Sequence, residues 1–159
     1  MTRHFETVQS LTNYLFGGDG KSGSAPDRAL LTMAVGETHR TIRVVRAKDK
    51  NGGDPPRKWF ASVLAPEGRW VYMGLFVDKG GRVPHLVQTR KSGVSPQALS
   101  WRWLYRLMER IALSQYPGDK IPETLNLAHD GHCSKCGRTL TNPLSLTTGI
   151  GPVCAGRLE

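Results

Sequence analysis

The middle of the chain alternates short apolar segments with turn-forming connections, and this pattern restricts the fold more than any other feature. Between residues 29 and 89, the segments ALLTMAV, RTIRVVRA, KWFASVLA, WVYMGLFV and VPHLVQT are rich in β-branched and aromatic residues. The connections between them are GETH, KDKNGGDPPR, PEGR and DKGGR. Short connections of this composition join antiparallel neighbours. The pattern therefore predicts a β-meander of four or five antiparallel strands.

Two further segments have helical periodicity. Apolar residues three or four apart in 4–16 predict a short amphipathic helix, which is followed by a glycine-rich linker. Ser95 and Pro96 form a helix-start signal, and the helical pattern continues to Tyr116. Its apolar face contains Leu99, Trp103, Leu104, Leu107, Met108 and Ile111. We therefore expect an α+β fold, an antiparallel meander sheet packed by one long α-helix.

The chain divides into three predicted parts. Residues 1–26 form an N-terminal helix and flexible linker, 27–124 a basic α+β domain, and 125–159 a small zinc-knuckle or zinc-ribbon module. No apolar run is long enough to cross a bilayer, and the N-terminus lacks the pattern of a secretory signal. Three cysteines cannot form a complete disulfide framework. These features predict a cytoplasmic protein with no membrane partner.

All three cysteines lie near the C-terminus. Cys133 and Cys136 form a C-x-x-C pair followed by glycine, and the bend-forming sequence GIGP comes shortly before Cys154. Zinc prefers four ligands in tetrahedral geometry, so a histidine is needed, and His129 and His132 are the candidates. His132 directly precedes Cys133, and adjacent residues rarely reach one ion without strain. We predict one structural zinc ion bound by Cys133, Cys136, Cys154 and a histidine, for which spacing favours His129 and leaves His132 as the alternative.

Other chemistries are less well matched to this arrangement. If neither histidine binds, an open position on zinc would activate a water, as in a metal-dependent nuclease. A redox C-x-x-C pair requires a thioredoxin-like βαβ context, which the sequence lacks. No nucleophile elbow, phosphate-binding loop or constellation of acidic residues is present in the sequence. We therefore expect a closed zinc site and no enzymatic activity.

The stretch HDGHCSKCGRTLTNPLSLTTGIGPVCAG, residues 129–156, resembles domain-of-unknown-function family 6011. This family is a small zinc-ribbon-like module that is frequent in phage and plasmid proteins. The shared pattern is H-x-G-x-C-x-x-C-G-R-x-L-T-x-P-x-S followed by G-I-G-P-x-C, over about a fifth of the chain. Leu144 departs from it, since an acidic residue is more usual there. The resemblance implies His129 as the fourth ligand and a phage or mobile-element origin, but no established activity.

Positive charge is concentrated in the middle of the sequence. Residues 37–110 contain fifteen basic and six acidic side chains, which accounts for the whole net charge of +9. A localised excess of this kind predicts a surface that binds a polyanion. In the long helix, Arg102, Arg106 and Arg110 form a ridge, with Trp101 and Tyr105 on the far side. Such a ridge suits phosphate contacts, and equally suits arginines that lie over the edge of a core.

The aromatic strand WVYMGLFV offers a second possible contact. Strict alternation places one set of residues on one face (Val71, Met73, Leu75 and Val77) and an aromatic set on the other (Trp70, Tyr72 and Phe76). The aromatic face is either buried or an open platform for unpaired bases. We predict contacts with single- or double-stranded nucleic acid, of low sequence specificity, at Arg40, Arg43, Arg46, Arg57, Lys58, Arg69, Trp70, Tyr72, Arg102, Arg106 and Arg110.

A second hypothesis is a phage-encoded inhibitor that binds an acidic surface of a host defence protein. A strong positive charge would steer it to such a surface, and exposed aromatic residues are frequent in protein interfaces. The two hypotheses differ in one simple measurement. Nucleic-acid binding predicts an affinity for short oligonucleotides that falls steeply with salt concentration.

Overall fold

The structure is a computed structural model that describes Phe5 and residues 7–16, 28–47, 57–78, 83–114, 126–134 and 149–150. The predicted linker at 17–26 and residues 48–56 of the longest connection lie outside these ranges. The elements are α1 Val8–Phe16, β1 Arg28–Val35, β2 Thr38–Arg46, β3 Arg57–Leu64, β4 Trp70–Asp78, β5 His85–Val87, α2 Leu99–Leu113 and β6 Asn126–His129. The α+β class is confirmed. Neither α1 nor α2 combines the length and the apolar character needed to cross a membrane.

All six strands form one antiparallel sheet with the order β5-β4-β3-β2-β1-β6. Strands β1 to β5 are consecutive neighbours, which confirms the predicted meander. Strand β6 was not predicted. It pairs with the outer side of β1, with Leu127 opposite Met33 and His129 opposite Leu31. The first residues of the predicted zinc module therefore belong to the sheet.

Both helices pack on the same face of the sheet, so the sheet is packed by two helices rather than one. Phe16, at the end of α1, meets Trp59 and Phe76 edge-on, with ring centroids 5.1 and 4.9 Å apart. Trp101 of α2 lies over Gly74 of β4, where a Cβ would stand 3.2 Å from the indole ring. The missing side chain at Gly74 thus admits the helix. We call this the covered face, and the opposite one the open face.

A β-bulge in β4 changes which residues share a face. Gly74 pairs with Ala61 and Tyr72 pairs with Ser62, so Met73 has no partner in β3. One extra residue shifts the alternation along the rest of the strand. Phe76 is consequently buried on the covered face, whereas Tyr72 and Trp70 lie half-buried on the open face. The prediction that these three aromatic residues share a face was wrong.

Helix α2 begins later than predicted, at Leu99. The hydroxyl of Ser95 accepts a hydrogen bond from the backbone N–H of Gln97, but it caps a turn that precedes the helix. Most of the predicted apolar face is buried, namely Leu104, Leu107, Met108 and Ile111. Trp101, predicted on the far side, is buried as well. Its burial depends on the space above Gly74, which helical periodicity does not reveal.

Candidate functional site

The open face of the sheet gathers cations and aromatic rings. The strand register places Leu30, Arg43, Ser62 and Tyr72 in one cross-strand row on this face. Among the strand residues that the structure describes, no position on the open face is acidic. The cationic and aromatic side chains of this face are called the open-face cluster, which consists of Arg28, Arg43, Lys58, Phe60, Trp70 and Tyr72. Cations, which can bind phosphates, and aromatic rings, which can stack on bases, are thus present on one surface.

Within this cluster, Arg43 is stacked on Trp70. The guanidinium carbon lies 4.5 Å from the centroid of the indole ring. Partial burial and the nearby charge of Arg28 lower the pKa of Arg43 from its usual value. The Nε of Arg43 is buried and has no hydrogen-bond partner among the described residues. Stacking on Trp70 fixes the plane of the guanidinium, so Arg43 is a preorganised cation on the open face.

Phe60 and Tyr72 form an ordered aromatic pair beside this stack. Phe60 is 46% exposed, and its ring meets Tyr72 at an interplanar angle of 64°, with centroids 6.3 Å apart. The hydroxyl of Tyr72 accepts a hydrogen bond from the hydroxyl of Thr89, at 3.1 Å. Thr89 begins a turn that carries Arg90 and Lys91, both exposed. This basic turn therefore lies at the rim of the open-face cluster.

The structure brings together some of the predicted nucleic-acid contacts and separates others. Arg43, Lys58, Trp70 and Tyr72 share the open face. Arg69 is exposed in the hairpin between β3 and β4 and pairs with Glu67 at 3.1 Å. The alternation of the strands places three more on the covered face, Arg40, Arg46 and Arg57. The remaining three, Arg102, Arg106 and Arg110, are exposed on α2 and face away from the sheet.

The arginines of the covered face make contacts within the protein. Arg46 is buried, and its guanidinium carbon lies 5.7 Å from the centroid of Trp59. Arg57 donates to the buried carboxylate of Asp78 at 2.9 Å. Arg40 donates to a backbone carbonyl at 2.8 Å. Arg46 and Arg57 therefore contribute to the fold, and none of the three arginines extends the open-face cluster.

Sequence reasoning missed two members of the cluster, Phe60 and Arg28. In KWFASVLA, Trp59 and Phe60 are consecutive aromatic residues, and alternation alone does not indicate which of them faces the core. Arg28 precedes the first predicted strand but is the first residue of β1, opposite Val45 on the open face. The register between strands, which is a long-range property, was needed to find both.

The predicted metal ligands that the structure describes are both buried. His129 is 4% exposed and Cys133 is 3% exposed. Gly131, with a φ of +85°, turns the chain between them, and its N–H donates to Nδ1 of His129 at 2.9 Å. An imidazole nitrogen that accepts a hydrogen bond carries no proton, so a metal ion could bind Nδ1 of His129 only in place of the Gly131 N–H. His132 is 51% exposed, and its Nδ1 lies 3.5 Å from the carboxylate of Asp130.

The C-x-x-C segment is hydrogen-bonded to the segment that precedes Cys154. The N–H of Ser134 donates to the carbonyl of Gly149 at 3.1 Å. The hydroxyl of Ser134 is buried with no hydrogen-bond partner in the described ranges, which leaves a donor suited to a thiolate. Cys136 and Cys154 lie outside those ranges, and within them no three His, Cys, Asp or Glu side chains are grouped closely enough to hold a metal.

Tyr14 connects α1 to the sheet and to this C-terminal segment. Its hydroxyl donates to the carbonyl of Leu30 at 2.8 Å and accepts the N–H of the same residue at 2.9 Å. Burial raises the pKa of Tyr14 well above its ordinary value, so the hydroxyl keeps its proton. The ring lies against the Cα of Gly149, and ring centroids place Tyr14 5.8 Å and Phe5 5.5 Å from His129. Aromatic side chains thus enclose His129 on the side of α1.

Comparison with known proteins identifies only the C-terminal segment. No curated protein and no solved structure matches the chain. One family model, described as a family of unknown function (DUF6011), matches residues 128–159. The matched residues include His129 and all three cysteines. The resemblance predicted from the sequence is therefore confirmed, and the C-terminal segment of this chain is similar to the family of unknown function DUF6011.

Proposed function

We propose that the protein binds nucleic acid with little sequence preference and that the open-face cluster makes the contact. The observation that carries this proposal is the stack of Arg43 on Trp70 beside the exposed ring of Phe60, on a face where none of the described strand residues is acidic. Cations that bind phosphates and aromatic rings that bind bases are the usual components of sequence-tolerant recognition. The net charge of +9 adds long-range attraction to a polyanion.

The arginine ridge of α2 forms a separate basic surface. Because α2 packs on the covered face, its exposed arginines and the open-face cluster lie on opposite sides of the sheet. A short oligonucleotide therefore contacts one surface or the other. We assign the main contact to the open face because it combines cations and aromatic rings on one face of the sheet. The predicted phosphate contacts at Arg102, Arg106 and Arg110 stay a prediction that the same experiment tests.

A titration of a labelled oligonucleotide of about 12 nucleotides over a salt series tests this proposal. We expect an affinity in the micromolar range or better that falls linearly with the logarithm of salt concentration. The double variant Arg43→Gln/Lys58→Gln should lower the slope by about 1 to 2, because about 0.7 to 0.9 counterions are released per phosphate contact. The matched control, Arg102→Gln/Arg106→Gln, removes the same charge from the other side and should keep the slope.

Two outcomes would contradict the proposal in different ways. Equal losses of slope in the two double variants would contradict the assignment to the open face. No measurable binding at low salt would reject nucleic-acid binding and would favour the second hypothesis, a phage-encoded inhibitor that binds an acidic host protein. The exposed aromatic residues of the open face would then be the first candidates for that protein interface.

We also propose that one structural zinc ion is bound by His129, Cys133, Cys136 and Cys154. The burial of His129 and Cys133 and the hydrogen bond between Ser134 and Gly149 support this set. Bound zinc would supply a cross-link between distant parts of a segment that is too small to build a core of its own. With four protein ligands the site would be closed and would have no position for a reactive water.

Metal analysis of the purified protein tests the zinc proposal. We expect about one zinc ion per chain, as for a single four-ligand site. His129→Ala should lose the metal, whereas His132→Ala should retain it because His132 is exposed and pairs with Asp130. If His129→Ala does not fold, His129→Cys supplies a replacement ligand and should retain zinc. Folded protein without a transition metal, or metal loss from His132→Ala alone, would contradict the assigned ligands.

A further inference from the structure

We infer that the open face selects single-stranded over double-stranded nucleic acid, with a base stacked on Phe60 and adjacent phosphates bound by Arg28 and Arg43. The inference rests on the proposed function and specifies the class of ligand. It also assigns different roles to the members of the open-face cluster. Three features of the structure carry it, the exposed ring, the placement of both described helices on the other face and the position of the cations.

The first feature is the ring of Phe60. It is nearly half exposed, although it lies on β3, which has a neighbouring strand on each side. Its contact with Tyr72 is edge-to-face, so Tyr72 does not stack in parallel on the Phe60 ring. Tyr72 is itself fixed by the hydrogen bond from Thr89. Phe60 therefore offers an aromatic surface in a defined orientation, which is what stacking of an unpaired base requires.

The second feature is the placement of both described helices on the other face of the sheet. The cluster spans the adjacent strands β1 to β4, and both helices lie on the opposite face. In a duplex the bases are stacked on one another, and only phosphates, sugars and groove edges are accessible. A duplex on this face would contact the cations but not the face of the Phe60 ring. A single strand can turn its bases toward the sheet, so only a single strand can use both components of the cluster.

The third feature is the position of the cations relative to the rings. Arg43 already occupies one face of Trp70, so Trp70 supports a cation and Phe60 remains the main stacking surface. Arg28 and Leu30 belong to the same face of β1, and Leu30 is the direct partner of Arg43. The two arginines are near enough for their charges to interact. A phosphate beside them would relieve this repulsion while an adjacent base lies on Phe60.

The test compares a labelled single strand with the duplex of the same sequence at one low salt concentration. We expect the wild-type protein to bind the single strand at least about 10-fold more tightly. Phe60→Ala should weaken single-strand binding about 5- to 100-fold and change duplex binding less than about 2-fold. The matched control is Tyr105→Ala, because Tyr105 is also 46% exposed but lies on α2. This control should leave both affinities unchanged, and Phe60→Tyr, which keeps the ring, should bind as the wild type does.

The possible failures are distinguishable. Equal affinities of the wild type for the two forms, or equal effects of Phe60→Ala and Tyr105→Ala, would overturn the inference and leave the proposed function standing. Absence of binding to either form would overturn the proposed function itself. If Phe60→Ala is unfolded by circular dichroism, Phe60→Leu removes the ring while keeping apolar volume and gives the same comparison.

Discussion

Each face of the sheet places an arginine over a tryptophan, and the surroundings give the two pairs different roles. On the covered face, Arg46 lies 5.7 Å from Trp59, and the two residues are 8% and 2% exposed. On the open face, Arg43 lies 4.5 Å from Trp70, and both residues are half-buried. The first pair belongs to the core. The second presents a fixed cation to the surroundings, so position relative to the helices, not residue type, decides what such a pair does.

The largest difference between the faces should appear in two phenylalanines. Phe76 is fully buried against Phe16, whereas Phe60 is nearly half exposed. Phe76→Ala should lower the free energy of unfolding by about 3–5 kcal/mol because it removes buried surface and leaves a cavity. Phe60→Ala should lower it by about 1 kcal/mol or less, mainly through lost cross-strand contact. Urea unfolding of both variants measures the difference. Similar losses of unfolding free energy would show that the Phe60 ring is as buried as the Phe76 ring.

A pair of glycines tests how α1 and the C-terminal segment join the covered face. Gly149 and Gly36 both have a positive φ, of +73° and +60°. A Cβ at Gly149 would stand 2.5 Å from the ring of Tyr14, whereas one at Gly36 would meet nothing within 4 Å. Both alanine variants incur the same backbone strain. Gly149→Ala should therefore be less stable than Gly36→Ala by about 1–3 kcal/mol in thermal or urea unfolding.

Equal stabilities of the two alanine variants would mean that Tyr14 does not rest on Gly149. The packing of α1 against the C-terminal segment would then have to be revised.

Two tyrosine hydroxyls give the next comparison. Tyr14→Phe removes both hydrogen bonds to the backbone of Leu30, on the helix side of the molecule. Tyr72→Phe removes one side-chain hydrogen bond from Thr89, at the rim of the open face. We expect losses of about 1–2 kcal/mol for Tyr14→Phe and about 0.5 kcal/mol for Tyr72→Phe, measured by chemical unfolding. A larger loss of unfolding free energy for Tyr72→Phe than for Tyr14→Phe would show that the Tyr72 hydrogen bond is the more stabilising of the two.

The smallest effect concerns the stacked cation itself. Arg43→Lys keeps the positive charge but loses the planar group that stacks on Trp70. Oligonucleotide affinity should fall about 2- to 5-fold, the size of a partly exposed cation–π contact, while the salt dependence stays as in the wild type. Arg102→Lys on α2 is the matched control and should have no effect. An unchanged affinity of Arg43→Lys would indicate that charge alone, not its fixed orientation, determines binding.

The features that sequence predicted were those set by local rules. Alternation of apolar residues and the composition of the turns were sufficient for the meander, because both depend on neighbouring residues. The bulge at Met73 depends on the register with β3, and strand β6, with the sequence NLAH, is too short to show a period. Trp101 is buried because Gly74 leaves room for it on another element.

The candidate site was predicted only in part for the same reason. Arg40, Arg43 and Arg46 are spaced three apart in one strand, so they alternate between faces, and only Arg43 reaches the open one. Charge counting along the sequence grouped all three. Of the proposed zinc ligands, His129 and Cys133 are buried, while Cys136 and Cys154 lie beyond the described residues, so the ligand set stays a prediction.

The hydroxyl of Tyr14 also determines how the sheet ends. Strand β6 stops opposite Leu31, so the first residues of β1 have no strand beside them on that side. The N–H and carbonyl of Leu30 are instead hydrogen-bonded to the hydroxyl of Tyr14. The N–H of Arg28 is hydrogen-bonded to the carbonyl of Ser134. An intruding strand from a second molecule would have to displace these bonds before it could extend β1. At the opposite margin, β5 has three residues, too few to template such an addition. Addition of a foreign strand to β5, or to the part of β1 that β6 leaves uncovered, is thereby opposed.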